Sequence, residues 1–393
     1  MYSEVALRDK LQEQMLRLKK FEFFQSRFEQ CGVKPEEIKD FSDLQQLPFM
    51  TRTDLEKDFF DLKPPYGSFF NSEVVRFNLT PTSRGLYPIY YSARDLETIA
   101  AVNANLIEST GVTSNDVVAN CMGHHIFVAG LIINDCFQKI GAKIIPLGPG
   151  ESERAIGIIN QYRVSVLIAN ASFAVKLGGL GADSIRIVLA GGEPVPKDQL
   201  KAVFGEELIV AESYGLAECL PVARECRFQN GPHIAEEFVF VEIIDPETGN
   251  SLPCGEKGEV VVTHIDKDAM PLLRYRTGDL AVLEDKICPC GRHLSLPKGI
   301  LGRIDQMCKV KGVKLYPSQV RVITRIFAEL TGKYRIKITK KNATDYLQIT
   351  LEGDKKIDTD VVRAALKQGL IIEPNELEIV ETLEDGPMVI DER

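Results

Sequence analysis

The 393-residue chain has no apolar run that approaches a membrane span: its longest clean stretch, Ile126–Ile133, is far short of the roughly 20 residues a bilayer crossing needs. It also lacks an excess of basic charge. Its 47 Lys and Arg stand against 56 Asp and Glu, a formal net charge of -9, which argues against nucleic-acid and anionic-membrane binding, since phosphate contacts need a basic surface. Low-complexity tracts are missing too, and 44% apolar with 26% charged residues is the composition of a folded chain rather than a disordered one. The first 24 residues carry Glu4, Arg8, Lys10, Glu13, Arg17, Lys19 and Lys20, so they hold no apolar signal core and the expected location is the cytoplasm.

What is present is length for two or three domains and nine cysteines. An odd number of thiols in a long chain suits a reduced compartment, with free thiols or metal ligands rather than a disulfide framework. Residues 1–62 read as a helical lead-in, with Leu7, Leu11, Met15 and Leu18 at helical spacing before the Leu47-Pro48 break. From 74 to 235 short buried-strand patterns (Asp116–Asn120, Ala142–Pro146, Val164–Ile168, Ile185–Leu189) alternate with helical ones (Ala93–Glu108, Gly130–Ile140, Ser152–Tyr162). That alternation predicts an α/β core with a mostly parallel sheet. Residues 236–300 turn all-β, an appended antiparallel subdomain. A boundary falls at 302–306, giving a large N-terminal α/β domain (1–303) and a small, mobile α+β C-terminal lid domain (304–393) of βαββαβ-like pattern, with helices at Ser318–Leu330 and Thr359–Leu370.

Cys288-Pro289-Cys290-Gly291-Arg292 sets two thiols one residue apart in a tight turn, and Cys226 and His233 flank Gly231-Pro232 upstream. Three thiolates and an imidazole form the closed tetrahedral set of structural zinc. Buried cysteines without a function are equally common, and the intervals alone leave both readings open. Cys219 and Cys254 are spare candidates; His124, His125, His264 and His293 read as structural or pocket-lining.

Three segments in order are more specific: Ala190-Gly191-Gly192-Glu193-Pro194, Ser213-Tyr214-Gly215-Leu216-Ala217-Glu218, and Tyr275-Arg276-Thr277-Gly278-Asp279-Leu280. Together they resemble an adenylate-forming enzyme. The Cys226/His233/Cys288/Cys290 set, the short N-terminal region, and Gly302-Arg303-Ile304-Asp305 leading to Lys311-Gly312-Val313 and Tyr316-Pro317 resemble the phenylacetate-CoA ligase family over essentially the whole chain.

The resemblance implies ATP-dependent activation of a carboxylic acid as acyl-adenylate, with transfer to CoA or another nucleophile. The cofactors implied are ATP/AMP, Mg²⁺ and structural Zn²⁺; the partners are a small acid and an acceptor, with a homodimer as the assembly. Gly191, Gly192, Glu193 and Pro194 would line the adenine pocket, and Ser213, Tyr214 and Gly215 its other wall. Glu218 would hold Mg²⁺, Asp279 would accept the ribose hydroxyls, Arg303 would sit by ribose or phosphate, and Asp305 would be the hinge. Gly123, His125, Phe127, Val128 and Ala129 would line an acyl pocket, whose His and Phe suggest an aromatic acid. A closed Cys₃His shell leaves no position for an activated water, which argues against a zinc hydrolase.

The chain departs from the family where the phosphates bind. Leu79-Thr80-Pro81-Thr82-Ser83-Arg84-Gly85-Leu86-Tyr87-Pro88 stands where a Ser/Thr/Gly loop wraps phosphate, and Pro81 removes an N–H. Asp385 occupies the place of a terminal catalytic Lys, Met388 that of an Arg, and Ala217 that of a Thr. Arg84, Lys309, Lys311 and Lys314 are the replacement cations the sequence offers. The second reading is therefore a catalytically impaired relative that binds AMP, an acyl-adenylate or an acyl group for transfer, sensing or scaffolding.

Overall fold

The computed structural model describes residues 4–82, 84–304, 308–310, 313–315, 317–341, 344–370, 372–384 and 386–393. They divide into two compact units: Met1–Thr277 with Val282–Ile300, and Gly278–Ala281 with Leu301–Arg393.

In the first unit α1 (Glu4–Leu18) buries Leu11, Met15 and Leu18, one stripe at helical spacing, and α2 (Glu22–Cys31) ends on Gly32 in the left-handed region (φ 70°). α3 (Arg52–Lys57) starts at a reciprocal cap between Thr51 and Asp54. The strands β1 (Val74–Thr82) and β2 (Gly85–Ser92) form an antiparallel hairpin. Ser92 then caps α4 (Ala93–Glu108), and Asp95 accepts the Ser92 N–H in return.

The core of this unit is a nine-stranded sheet among the described residues. Its parallel part comprises β3 (Val117–Asn120), β4 (Lys143–Pro146), β5 (Val166–Ala169), β6 (Ile187–Gly191) and β7 (Ile209–Tyr214). They are joined through α5 (Val128–Ile140), α6 (Ser152–Gln161), α7 (Ala171–Gly179) and α8 (Lys197–Phe204). Antiparallel strands β8 (Ala223–Arg224) and β9 (His233–Ile234) extend it past β7. β10 (Val239–Ile244) and β11 (Lys257–His264) pair with each other, and β12 (Tyr275–Val282) has residues in both units. β13 (Glu284–Asp285) and β14 (Leu294–Ser295) return to the large sheet, because Ser295 pairs with His233.

Strand alternation sorts the two faces of this sheet. Ala119, Leu167, Ala169, Val188, Ala190 and Val210 pack with Ala155, Ile159, Ala174, Leu177 and Leu200 of α6, α7 and α8. Asn120, Gly191 and Ser213 belong to the opposite face. There the Asn120 amide donates to Gly130 O and to Asn134 Oδ1 of α5, at 2.9 and 3.0 Å.

In the second unit β15 (Gly302–Arg303) pairs with Leu280 and Asp279. A hairpin of β16 (Cys308–Val310) and β17 (Val313–Leu315) precedes α9 (Pro317–Thr324). The sheet follows with β18 (Leu330–Lys341) and β19 (Thr344–Gly353), then α10 (Thr359–Leu370), β20 (Glu376–Val380) and β21 (Val389–Asp391), in the order β20-β19-β18-β21. Ile336, Ile338, Leu347, Ile349 and Leu351 form one buried face under Val320, Val362 and Leu366. The small hairpin and the last strand were not separated in the sequence pattern. α9 also stops at Thr324, six residues before the expected end, where the buried Thr324 hydroxyl donates to Arg321 O at 2.9 Å.

Candidate active site

Gly191 ends β6 opposite Ser213 of β7, and a Cβ at Gly191 would lie 2.6 Å from Ser213 O, so the close approach requires glycine. Gly192 turns the chain with φ 80°. Glu193 bends back instead of reaching outward: it accepts the Ser172 N–H at 2.7 Å in the first turn of α7, where the helix dipole favours a carboxylate. Pro194 and Gly215 are exposed, Ser213 is half-buried and Tyr214 is buried.

Glu218 is buried, and its carboxylate is ion-paired with Arg52 and accepts from the Tyr275 hydroxyl at 3.5 Å. Arg52 is the first residue of α3, also bonds Glu56 at 3.1 Å, and lies 5.4 Å from the centre of the Tyr87 ring of β2. No sequence spacing relates Arg52 to position 218.

The segment expected to wrap phosphate is the tip of the β1–β2 hairpin, with Thr80 opposite Tyr87 and Thr82 opposite Gly85. Ser83 lies outside the described residues. Arg84 grips Asp61 through both terminal nitrogens (2.9 and 2.5 Å), 4.9 Å from the centre of the Phe60 ring, and the same guanidinium holds the Asp61 carboxyl below its usual range.

The hairpin also fixes the acyl-pocket candidates. Leu79 N–H donates to Ile126 O at 2.7 Å and the Asn78 amide to Phe127 O at 3.0 Å. Gly123 packs so tightly on Gly130 that a Cβ at Gly130 would fall 2.1 Å from Gly123 O. His125 and Phe127 meet edge to face at 5.0 Å and are exposed, while Val128 and Ala129 are half-buried in the first turn of α5.

In the second unit Asp279 and Arg303 are register partners, and Arg303 Nη1 donates to Asp279 Oδ1 at 2.9 Å. Asp305, Lys311 and Asp385 lie outside the described residues, as do the side chains of Lys309 and Lys314. A cation not singled out from the sequence, Arg335, donates to Glu384 O at 2.6 Å and packs on Gly386.

The four metal-ligand candidates do come together. The ligand atoms of Cys226, His233, Cys288 and Cys290 lie within 4.8 Å of one another, with Cys226 Sγ 3.7 Å from Cys288 Sγ and Cys290 Sγ 3.5 Å from His233 Nε2. Burial pushes the Cys226 thiol up to about 12. Burial opposes ionisation of Cys288 as well, but hydrogen bonds from the Cys290 backbone and from the Cys290, Cys226 and Asn230 side chains outweigh it and hold that thiol below its ordinary value. The donor set fits a structural zinc ion, which would supply the positive charge that lets several buried thiols ionise together. Cys254 is exposed and outside this group.

The AMP-binding enzyme family matches residues 96–265, and the AMP-binding enzyme C-terminal domain matches residues 312–382. Phenylacetate-coenzyme A ligase of Thermus thermophilus is 30% identical over 365 residues, covering 89% of this chain and 81% of that enzyme. The chain belongs to the phenylacetate-coenzyme A ligase family. The Escherichia coli phenylacetate-coenzyme A ligase is 28% identical over 345 residues, with 84% of this chain and 77% of that enzyme covered. In fold, this ligase family member is similar to a solved 2-hydroxyisobutyryl-CoA ligase in the postadenylation state, with TM-score 0.85 and 23% identity over 99% of this chain and 90% of that one. No helix among the described residues is long and apolar enough to cross a membrane.

Proposed function

We propose that this enzyme activates a carboxylic acid with ATP and passes the acyl group to coenzyme A. A carboxylate oxygen attacks the α-phosphorus while the bond to pyrophosphate breaks; the CoA sulfur then attacks the acyl carbon and AMP leaves. The observation that carries the reading is the convergence of Gly191, Ser213 and Glu218 at and just past the C-terminal ends of β6 and β7, the end of an α/β sheet where ligands bind.

In this reading Gly191, Gly192 and Pro194 face the adenine, with Ser213, Tyr214 and Gly215 as the other wall. Glu193 is occupied at the α7 terminus and acts by shaping the turn. Asp279 accepts the ribose hydroxyls, which suits a carboxylate with two acceptor oxygens, and Arg303 orients it. Glu218 offers the hard oxygen donors that Mg²⁺ takes, and the ion would neutralise charge on the transferring phosphate. Gly123, His125, Phe127, Val128 and Ala129 border the acid, and the His125–Phe127 ring pair supports an aromatic one. Cys226, His233, Cys288 and Cys290 hold a structural zinc ion, and the assembly is a homodimer.

Acid-dependent pyrophosphate exchange, followed by thioester formation with CoA, tests this. Exchange with an aromatic acid and a CoA thioester is the expected result. The pairing of Arg84 with Asp61 and the lack of a terminal Lys favour a second reading, an AMP- or acyl-adenylate-binding relative; AMP binding with no exchange for any acid would select it.

A further inference from the structure

One row of residues crosses the large sheet: Gly191 pairs with Ser213, Ser213 with Arg224, and Arg224 with His233. Directly paired residues project to the same face, so Arg224 shares the face of Ser213, one strand spacing of about 4.8 Å away. Asn120 anchors α5 over that face, and the first turn of α5 carries the acyl-pocket candidates Val128 and Ala129.

Arg224 is 5% exposed, and its Nε is buried with no hydrogen-bond partner among the described residues. None of its guanidinium nitrogens has a hydrogen bond or ion pair among the described residues. The titratable group that acts on it is Cys136 of α5, whose thiol is tied to Ile132 O at 2.9 Å and pushed by burial up to about 12, hence neutral. An arginine keeps its proton, and a buried charge with no partner is costly, so a bound anion would supply what the described residues do not. From Ala129 to Cys136 the helix advances about 10 Å, the length of a phenyl ring with its substituents or a chain of five to six carbons.

We propose that Arg224 binds a second carboxylate at the far end of the acid, making the substrate a dicarboxylic acid whose near carboxylate is the one activated. This rests on the adenylation reading and narrows it. A monoacid of the same shape would leave the guanidinium unpaired and be rejected by about 100-fold in kcat/KM.

The test compares matched pairs, phenylacetate with 4-carboxyphenylacetate and hexanoate with adipate, on the full chain and on Arg224→Met and Arg224→Gln. Binding is read from the melting-temperature shift without ATP, turnover from pyrophosphate exchange, and the metal site from zinc per chain. The expected result is diacid preference in the native chain, its loss or inversion in both variants, and unchanged zinc content. Removing an unpaired buried cation should also leave the ligand-free melting temperature equal or higher. Native preference for monoacids, a preference unchanged by Arg224→Gln, or loss of zinc in the variants overturns the assignment. Should Arg224→Met fail to fold, Arg224→Gln carries the comparison. If no acid supports exchange, the adenylation reading fails, while the diacid-dependent melting shift and its loss in the variants still decide the role of Arg224.

Discussion

Arg52 and Glu218 form an ion pair that ties the first turn of α3 to the motif following β7. Glu218 is the buried partner and Arg52 is about a third exposed, so removing the arginine strands a carboxylate in a low-dielectric site. Arg52→Gln should therefore destabilise the ligand-free chain by about 1–2 kcal/mol, less than a fully buried pair because water reaches Arg52. Mg²⁺ with ATP should restore the loss, because a cation on Glu218 replaces the missing guanidinium. Melting curves in EDTA and in Mg²⁺-ATP check this. A variant with the native melting temperature in both media would show that the pair does not bear on Glu218.

The metal cluster makes a separate demand on the fold. One zinc ion per chain is expected by elemental analysis, and Cys288→Ser should lose it. Structural zinc contributes folding free energy directly, so stripping the metal should lower the melting temperature by many degrees. Acid-dependent exchange should persist in whatever fraction stays folded, since the ligands lie past β8 and in the β13–β14 turn and none is assigned to the reacting groups.

Parts of this arrangement were legible because they depend on local order. α4 runs from Ala93 to Glu108 as the pattern indicates, since Ser92 and Asp95 sign its start, and β3, β4, β5 and β6 fall within two residues of their apolar runs, while β7 was not among the strand patterns. The Cys226, His233, Cys288 and Cys290 intervals left a metal site and functionless buried cysteines both open, and it was the family resemblance that favoured the metal site. Arg52–Glu218 was not legible, since it joins residues far apart in sequence by folding alone. Arg224 was hidden for a different reason: in sequence it is one more charged residue beside Glu225, and only the folded chain shows that it is buried without a partner among the described residues. Glu193 shows the converse, a motif acid whose carboxylate the fold uses at a helix terminus.

Asp279 and Arg303 offer a kinetic test within the second unit. Asp279→Asn keeps the shape but removes the charge that Arg303 meets and that the proposed ribose contact would use. The expected effect is a rise of about 10- to 100-fold in KM for ATP, with KM for CoA little changed. Measuring both constants separates a nucleotide contact from general damage: equal increases for ATP and CoA would remove Asp279 from the ribose role.

His264 sets an acid limit on stability. It is fully buried, its Nδ1 accepts the Leu272 N–H at 2.9 Å, and its Nε2 has no partner among the described residues. Burial, reinforced by the charge of Lys267, holds the imidazole well below its ordinary value of 6.5, so the folded chain keeps it neutral. The unfolded chain binds the extra proton below that value, so the stability is fully present above pH 6.5 and is lost as pH falls toward the folded-state pKa. The slope is about 1.4 kcal/mol per pH unit for one such group. His264→Asn, whose side-chain oxygen can still accept from Leu272, should flatten this loss between pH 6.5 and 5, while acid sensitivity from Asp116 and Asp266, whose carboxyls are held low by their hydrogen-bonded partners against opposing burial, stays at lower pH. Denaturant unfolding at several pH values decides it: equal slopes for the native chain and the variant across that window would place the sensitivity elsewhere.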